Sequence, residues 1–319
     1  MTAMAAAFGT TRLTLRLHRF EAFAFVVLVV AGVGLAFLVG ARLDAIRYDP
    51  RCYDTTGLVP VTTACQQAMN RFSAMVDGEA NKVAIITTFV PFLAGLLLGT
   101  PIVGREVERG TTRLAWALSP SRQRWFLQRL IPVLVVVAGG SFLLGVAGDR
   151  LIGASQPQLD PANAFDQFGF RGVVIAARAV FVFGLAVLVG AVMGRALPAF
   201  IVAGLIAVIA IAGGSRVHHW ILEREAVIMP EPGPGDLYMD QRFRLPNGTL
   251  IGWDQLEQYD PMPADPQFTG QWPTLPQIQF GIPGTRYRQV EAREVAALGG
   301  ATVVSLGLAA FVVQRRRPG

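Results

Sequence analysis

The sequence has little charge and few of the residues that carry enzyme chemistry. Only 16% of its 319 residues are charged, and it holds three His, two Cys and a single Lys, Lys82. A Walker A loop needs a Lys after its glycines, and no such loop contains Lys82. A zinc peptidase needs two His spaced as H-E-x-x-H, which His18, His218 and His219 do not provide. These absences exclude ATP hydrolysis by this chain, argue against a membrane hydrolase, and leave no catalytic, metal or cofactor residues to nominate.

Apolar residues are abundant instead, at 52%, and they are gathered into runs too long for the core helices of a soluble protein. Crossing about 30 Å of hydrocarbon takes roughly 20 apolar residues at 1.5 Å per residue. Six runs meet this requirement, and the chain is predicted to be an all-α polytopic membrane protein. The predicted spans are Ala22–Ala41, Val83–Val103, Leu130–Gly148, Gly172–Gly194, Ala196–Gly214 and Val295–Val313.

These spans contain almost no charge. None holds Asp or Glu, and Arg178, six residues into the fourth span, is the one charged side chain within them. Ion-coupled carriers usually carry ionisable residues inside the membrane, and channels need a polar stripe, so neither class is favoured. Arg178 has two interpretations: it reaches toward the lipid headgroups, or it faces a water-filled cavity on the substrate path and contacts an anionic group.

Arginine density predicts the orientation, because basic residues near span ends stay on the cytoplasmic side. With both termini inside, the inner segments hold 13 Arg in 54 residues, against 14 basic residues in 144 for the outer ones. The chain is therefore predicted to lie in the plasma membrane with cytoplasmic termini. The inner segments are 1–21, 104–129, 195 and 314–319, and the outer ones are 42–82, 149–171 and 215–294.

The N-terminal segment, 1–21, has an amphipathic pattern. Arg12, Arg16 and Arg19 recur at helical spacing, and Leu13, Leu17 and Phe20 share a different face. This pattern predicts a helix lying on the cytoplasmic leaflet, in contact with membrane lipids. The alternative is a continuation of the first span into water.

The two cysteines, Cys52 and Cys65, both lie in the first outer loop, 42–82. An oxidising compartment lets a disulfide persist there, so we expect the two residues to be bonded. The alternative is a pair of free thiols.

The outer segment 215–294 is rich in proline and aromatic residues, which argues against plain disorder. Apolar residues flank Asn247-Gly248 within Arg242–Trp253, which predicts a β-hairpin. We expect a small extracellular cap between the fifth and sixth spans, with some strand. The alternative is an irregular loop on the headgroups.

The densest cluster of charge lies between the second and third spans, in 104–125. Gly110-Thr111 predicts a helix break, and Trp125 suits the membrane interface. A basic loop between two spans is a surface suited to a cytoplasmic partner. Its arginines are Arg105, Arg109, Arg113, Arg122 and Arg124.

Two G-x-x-x-G patterns lie within the predicted spans, Gly95 with Gly99 and Gly190 with Gly194. Such faces let helices approach closely. Helix packing is the default interpretation, and dimer formation through the second span is the alternative.

The stretch from Pro101 to Trp125, with Glu106, Gly110-Thr111 and a Ser121-Arg122-x-x-Trp125 ending, resembles the same region of ABC-2 type transporter permeases of actinobacteria. Pro283 to Glu291, before the last span, is similar to their approach to the final helix. Specific motifs match only at these two places.

This resemblance implies a six-helix subunit of an ABC exporter that works as a homo- or heterodimer, each subunit bound to a cytoplasmic ATPase subunit that holds ATP and Mg. The loop after the second span would form a coupling helix seated on the ATPase. By the same analogy Phe89, Phe92 and Phe200 would line the substrate path. The residues assigned to ATPase docking are Arg105, Glu106, Glu108, Arg109, Gly110, Thr111, Arg113, Ser121, Arg122 and Trp125.

The predicted function is therefore a permease that moves an amphipathic drug, peptide or lipid, with no nucleic-acid partner. The alternative is a nontransporting sensor or immunity module whose cap binds an extracellular ligand.

Overall fold

The computed structural model of the chain describes residues 19–49, 52, 62–111, 121–230, 232–262 and 273–316. Most of the predicted amphipathic helix 1–21 lies outside these ranges, as do Arg113 and Arg317. The chain forms two compact units. The helical unit takes its described residues from 1–157, 167–211 and 291–319, and the cap unit takes its residues from 158–166 and 212–290.

Long helices make up the helical unit, and strands appear only in the cap unit within the described ranges. The helices are α1 (Arg19–Ala45), α2 (Thr63–Met75), α3 (Asn81–Gly99), α4 (Pro101–Glu108), α5 (Arg122–Ser155), α6 (Gly172–Met193), α7 (Ala196–Glu225), α8 (Trp253–Tyr259) and α9 (Tyr287–Arg315). The strands are β1 (Val227–Met229), β2 (Leu237–Arg244), β3 (Leu250–Ile251) and β4 (Gln277–Ile282).

The described residues contain six helical stretches that are long and apolar enough to cross a membrane, which confirms the predicted fold class. All of the spans except the fourth are longer than predicted. Helix α5 has 34 residues, and at 1.5 Å per residue it rises about 51 Å, well beyond the hydrocarbon thickness. The predicted span Leu130–Gly148 is its apolar middle. Hydropathy detects only that part, whereas backbone hydrogen bonds continue into the polar turns on either side.

The second span begins well before its predicted start. Thr62 caps α2 by accepting a hydrogen bond from the Cys65 N–H at 3.2 Å, and helix then continues through the π-helical segment Val76–Ala80 into α3. Half of the predicted outer loop 42–82 is therefore helical. The predicted disulfide is confirmed: Cys52 and Cys65 are bonded, with their Cα atoms 5.2 Å apart.

The glycine faces of α3 and α6 pack within the subunit. A Cβ atom at Gly95 would lie 2.7 Å from the Ala179 carbonyl oxygen, and one at Gly99 would lie 2.8 Å from the Phe183 carbonyl oxygen. Gly190 approaches α3 in the same way from the other side. The backbones can come this close only because these side chains are absent. Gly194 has a different role, since it ends α6 in the left-handed conformation, with φ of 67°.

The cap unit contains a four-stranded antiparallel sheet in the order β1-β4-β2-β3. The predicted hairpin is present: β2 and β3 pair across a turn in which Gly248 has φ of 83°. Phe243, Ile251 and Leu256 form a small core beneath it. The unit differs from the predicted segment 215–294, because α7 extends to Glu225, α9 begins at Tyr287, and residues 158–166 join from another part of the chain.

Candidate functional site

The 104–129 segment contains two helix ends, the C-terminus of α4 and the N-terminus of α5. Helix α4 ends at Glu108, and Gly110 follows in the left-handed conformation at the predicted helix break. The Thr111 hydroxyl donates to a Glu106 carboxylate oxygen at 2.5 Å. Helix α5 begins after Ser121, whose hydroxyl accepts the Arg124 N–H at 3.2 Å. Serine at this position satisfies one of the N–H groups that a helix start leaves without a partner.

Glu106 joins the two sides of the segment. Its carboxylate accepts a hydrogen bond from Arg129 of α5 at 2.6 Å. The two side chains are only 18% and 15% exposed. A charge-assisted pair this far from water is stronger than one on the surface, because the surrounding dielectric is lower. Glu106 therefore faces inward and binds α4 to α5.

Glu108 reaches a third helix. Its carboxylate accepts the backbone N–H of Ala196, the first residue of α7, at 3.0 Å. A negative side chain at a helix N-terminus is stabilised by the unpaired N–H groups and by the helix dipole. Glu108 thus caps the fifth span from outside that helix.

Two arginines extend these connections to the first and last spans. Arg105 donates to Glu21 of α1 at 2.9 Å. Arg122 donates to the carbonyl oxygens of Gln314 and Arg316, at 2.7 and 2.9 Å, where α9 ends. Arginine suits a helix C-terminus because the last carbonyl groups lack N–H partners.

Arg316 completes the set by donating to the Ala191 carbonyl oxygen near the end of α6. The 104–129 segment is therefore hydrogen-bonded to the ends of α1, α7 and α9, is continuous with the second and third spans, and reaches α6 through Arg316. We call this end of the helical unit the basic end. A displacement of the segment would act on every span at once.

The segment also has an outward side. Its exposed residues within the described ranges are Glu108 to Thr111, Ser121, Gln123, Arg124 and Leu127. Trp125 is 5% exposed and lies in the core of the helical unit, with the Arg129 guanidinium 4.9 Å from its ring centroid. The i, i+4 spacing of these two residues on α5 places the cation over the ring. Trp125 therefore braces the segment from within the helical unit, and its place at the membrane interface stays a prediction.

A protein-family model, described as ABC-2 membrane transporter related, matches residues 23–217. This range covers more than half of the chain. The chain belongs to the ABC-2 membrane transporter related family. The match covers the second, third and fourth spans, most of the first and fifth, and the whole 104–129 segment. No curated protein and no solved structure matches the chain.

Arg178 of this ABC-2 related protein is paired with an acid. Its guanidinium donates to Glu294 of α9 at 2.9 and 2.6 Å. The side chains are 8% and 11% exposed, so the pair is shielded from solvent, and Arg178 contacts an anionic group as the second interpretation expects. The predicted spans contained no acid because Glu294 precedes the predicted sixth span by one residue. Helix α9 begins earlier, at Tyr287, and carries Glu294 into the helical unit.

A second ion pair, in which the arginine is buried and the acid is one-third exposed, lies between α5 and the start of α6. Arg171, 1% exposed, donates to Asp149 at 2.7 Å. Glu291 of α9 is also buried, and a Cβ atom at Gly172 would lie 3.2 Å from an Asp149 oxygen and 3.5 Å from a Glu291 oxygen. Sequence reasoning missed this cluster, because its members lie at span ends, where hydropathy gives no signal.

The predicted substrate-path phenylalanines differ in exposure. Phe89 is 59% exposed, and Phe92 and Phe200 are half-buried. Their role stays a prediction. Within the described part of the chain, no group of three or more His, Cys, Asp or Glu side chains could hold a metal ion.

Proposed function

We propose that this protein is the permease subunit of an ATP-driven ABC exporter that moves an amphipathic drug, peptide or lipid across the plasma membrane. A separate cytoplasmic ATPase subunit would bind ATP and Mg and dock on the 104–125 loop. The termini would then be cytoplasmic, as the arginine density indicates. Membership of the ABC-2 related family and six apolar spans support this proposal.

The observation that carries the proposal is the connection of the 104–129 segment to the ends of the other spans. A permease driven by another protein needs a surface that the motor can push and a path from that surface to the helices. Arg109 and Arg124 lie on the exposed side of the segment, whereas Glu106 and Arg122 bind other helices. The exposed side is suited to docking, and the inward side is suited to transmission.

A second permease subunit would cover the faces of α7 and α9 that this chain leaves open. Only 17% of the apolar window in each of these spans is buried, against 67% for α6. Leu197, Ile201 and Leu205 of α7 are each more than 60% exposed. The exposed apolar faces support a homo- or heterodimer, in which the paired subunits enclose the substrate path.

Co-purification tests the proposal. The full chain would be expressed with a candidate ABC ATPase subunit and isolated through a tag on the permease. We expect a complex in which the substitutions Glu108→Ala and Arg109→Ala together reduce the amount of bound ATPase at least tenfold. The matched control is Asp240→Ala with Arg242→Ala, an exposed acid and arginine pair of the cap unit at 2.8 Å, which should leave binding unchanged.

Glu108→Gln separates docking from folding in this experiment. The amide oxygen can still accept the Ala196 N–H, so α7 keeps its cap while the charge is lost. An unchanged amount of ATPase on the double variant, in a protein that retains its melting temperature, contradicts the docking assignment.

A further inference from the structure

An apolar groove runs between α1 and α3 at the basic end of the helical unit. Its volume is about 430 Å³, within the range of small-molecule binding sites. Ala24 and Leu28 of α1 form one wall, Leu93 and Leu97 of α3 form the other, and Glu21 is the ionisable residue in its lining. The two leucines of α3 are about half exposed, so the groove opens sideways from the helical unit.

The groove has the depth of one lipid leaflet. Along α1 it extends from Phe20 to Leu28, nine residues whose eight steps rise about 12 Å. Half of the hydrocarbon thickness is about 15 Å. Phe20 and Glu21 lie at the start of the first span, so the groove extends from the membrane surface toward the midplane and ends there. A lipid acyl chain occupies the same interval.

The polar end of the groove carries a net positive charge. Glu21 accepts a hydrogen bond from Arg105 at 2.9 Å, and the Arg105 side chain is still 37% exposed. Arg19 is exposed next to them, with its guanidinium 4.7 Å from the Phe20 ring centroid. Two arginines against one glutamate leave one positive charge, which attracts a phosphate group at headgroup level.

A second copy of the chain fits this groove less well than a lipid does. A stable protein interface buries about 800 Å² on each partner, and the open faces of α7 and α9 offer a larger unburied surface. The two spans that form the groove are 28% buried (α1) and 50% buried (the span that contains α3) within the chain, against 17% for α7 and α9. A narrow apolar groove with a cationic end matches a single chain with an anionic head.

We infer that the α1–α3 groove binds one anionic phospholipid, with an acyl chain between Ala24 and Leu97 and its phosphate beside Arg19 and Arg105. The groove does not depend on the exporter assignment, although Arg105 at its polar end also belongs to the 104–125 loop proposed to dock the ATPase. Because Arg105 belongs to the 104–129 segment, the lipid headgroup contacts the segment that is hydrogen-bonded to the ends of the other spans. The composition of the leaflet would therefore act on the position of this segment.

Native mass spectrometry of the purified full chain tests the inference. The protein would be stripped of lipid and titrated with two phospholipids that share their acyl chains, one with an anionic glycerol headgroup and one with a zwitterionic choline headgroup. We expect one tightly bound lipid per chain, with at least a tenfold preference for the anionic one. Equal binding of the two lipids overturns the inference.

Variants locate the site. Ala24→Trp fills the groove and should weaken the bound lipid at least tenfold, and Leu93→Trp should do the same from the opposite wall. Leu35→Trp is the matched control for Leu93→Trp, on the same face of α1 as Ala24 and exposed but two turns beyond the groove, and it should bind as the wild type does. Arg19→Gln should lower the anionic preference about fivefold.

Two outcomes contradict the inference. One is unchanged lipid binding in both Ala24→Trp and Leu93→Trp. The other is an unchanged lipid count accompanied by loss of the dimer in these variants, which would assign the groove to a subunit interface.

Discussion

Removing the Glu106 carboxylate should destabilise the protein far more than removing an exposed acid, because it leaves Arg129 charged and mostly buried. Breaking a fully buried pair costs about 3–5 kcal/mol, whereas an exposed pair contributes about 0.2–1 kcal/mol. At 18% and 15% exposure, the Glu106–Arg129 pair lies nearer the buried limit. We expect Glu106→Ala to cost about 2–3 kcal/mol.

A double-mutant cycle measures the pair itself. The single variants Glu106→Ala and Arg129→Ala and the double variant would be compared by thermal unfolding of the detergent-solubilised chain. A loss of about 2–3 kcal/mol corresponds to a fall in melting temperature of roughly 5 °C or more. The double variant should lose less than the sum of the two single variants, with a coupling energy of about 1–3 kcal/mol.

The matched control is the Arg42–Glu79 pair, which joins α1 to the π-helical segment. It has a similar contact, at 3.2 Å, but its side chains are 56% and 52% exposed. Its coupling energy should stay below about 1 kcal/mol. If the Glu106 cycle gives a coupling energy no larger than this control, the argument from burial is wrong.

Three further predictions concern other parts of the chain. Glu294→Met should lower the melting temperature, because it leaves the buried Arg178 charge unpaired. Adding Arg178→Met should restore part of the melting temperature, since an unpaired buried charge costs more than an apolar pair. A further fall in the double variant would refute this. Removing the disulfide with Cys52→Ser and Cys65→Ser should cost up to about 3 kcal/mol in thermal unfolding, and the variant should no longer respond to reductant. Phe243→Ala, at a fully buried position, should cost the cap unit about 3–5 kcal/mol and expose it to protease while the helices stay intact.

The sequence predicts much of the fold because its signals are local. An apolar run marks a span, Asn247-Gly248 marks a hairpin, and two cysteines in one loop mark a disulfide. Each of these features depends on residues close together in the chain. The span ends were placed less well, because helix continues where hydropathy falls.

The partners of the site residues could not be predicted, because they come from distant parts of the chain. Arg105 and Glu21 are 84 residues apart, Arg178 and Glu294 are 116 apart, and Arg122 and Gln314 are 192 apart. Local sequence could show that the 104–129 segment is basic and that a helix ends at Gly110-Thr111. It could not show which side chains of the segment face inward. In the structure Glu106 and Trp125 face the helical unit, whereas Arg109 is exposed.

Site-specific photo-crosslinking tests the central claim most directly. A photoreactive amino acid would replace Arg109 in the full chain expressed with the same candidate ABC ATPase subunit, and a second variant would carry it at Ala45, an exposed position at the far end of α1. We predict a crosslink to the ATPase from position 109 and none from position 45. A crosslink from both positions, or from neither in a complex that co-purifies, would contradict docking on the 104–129 segment.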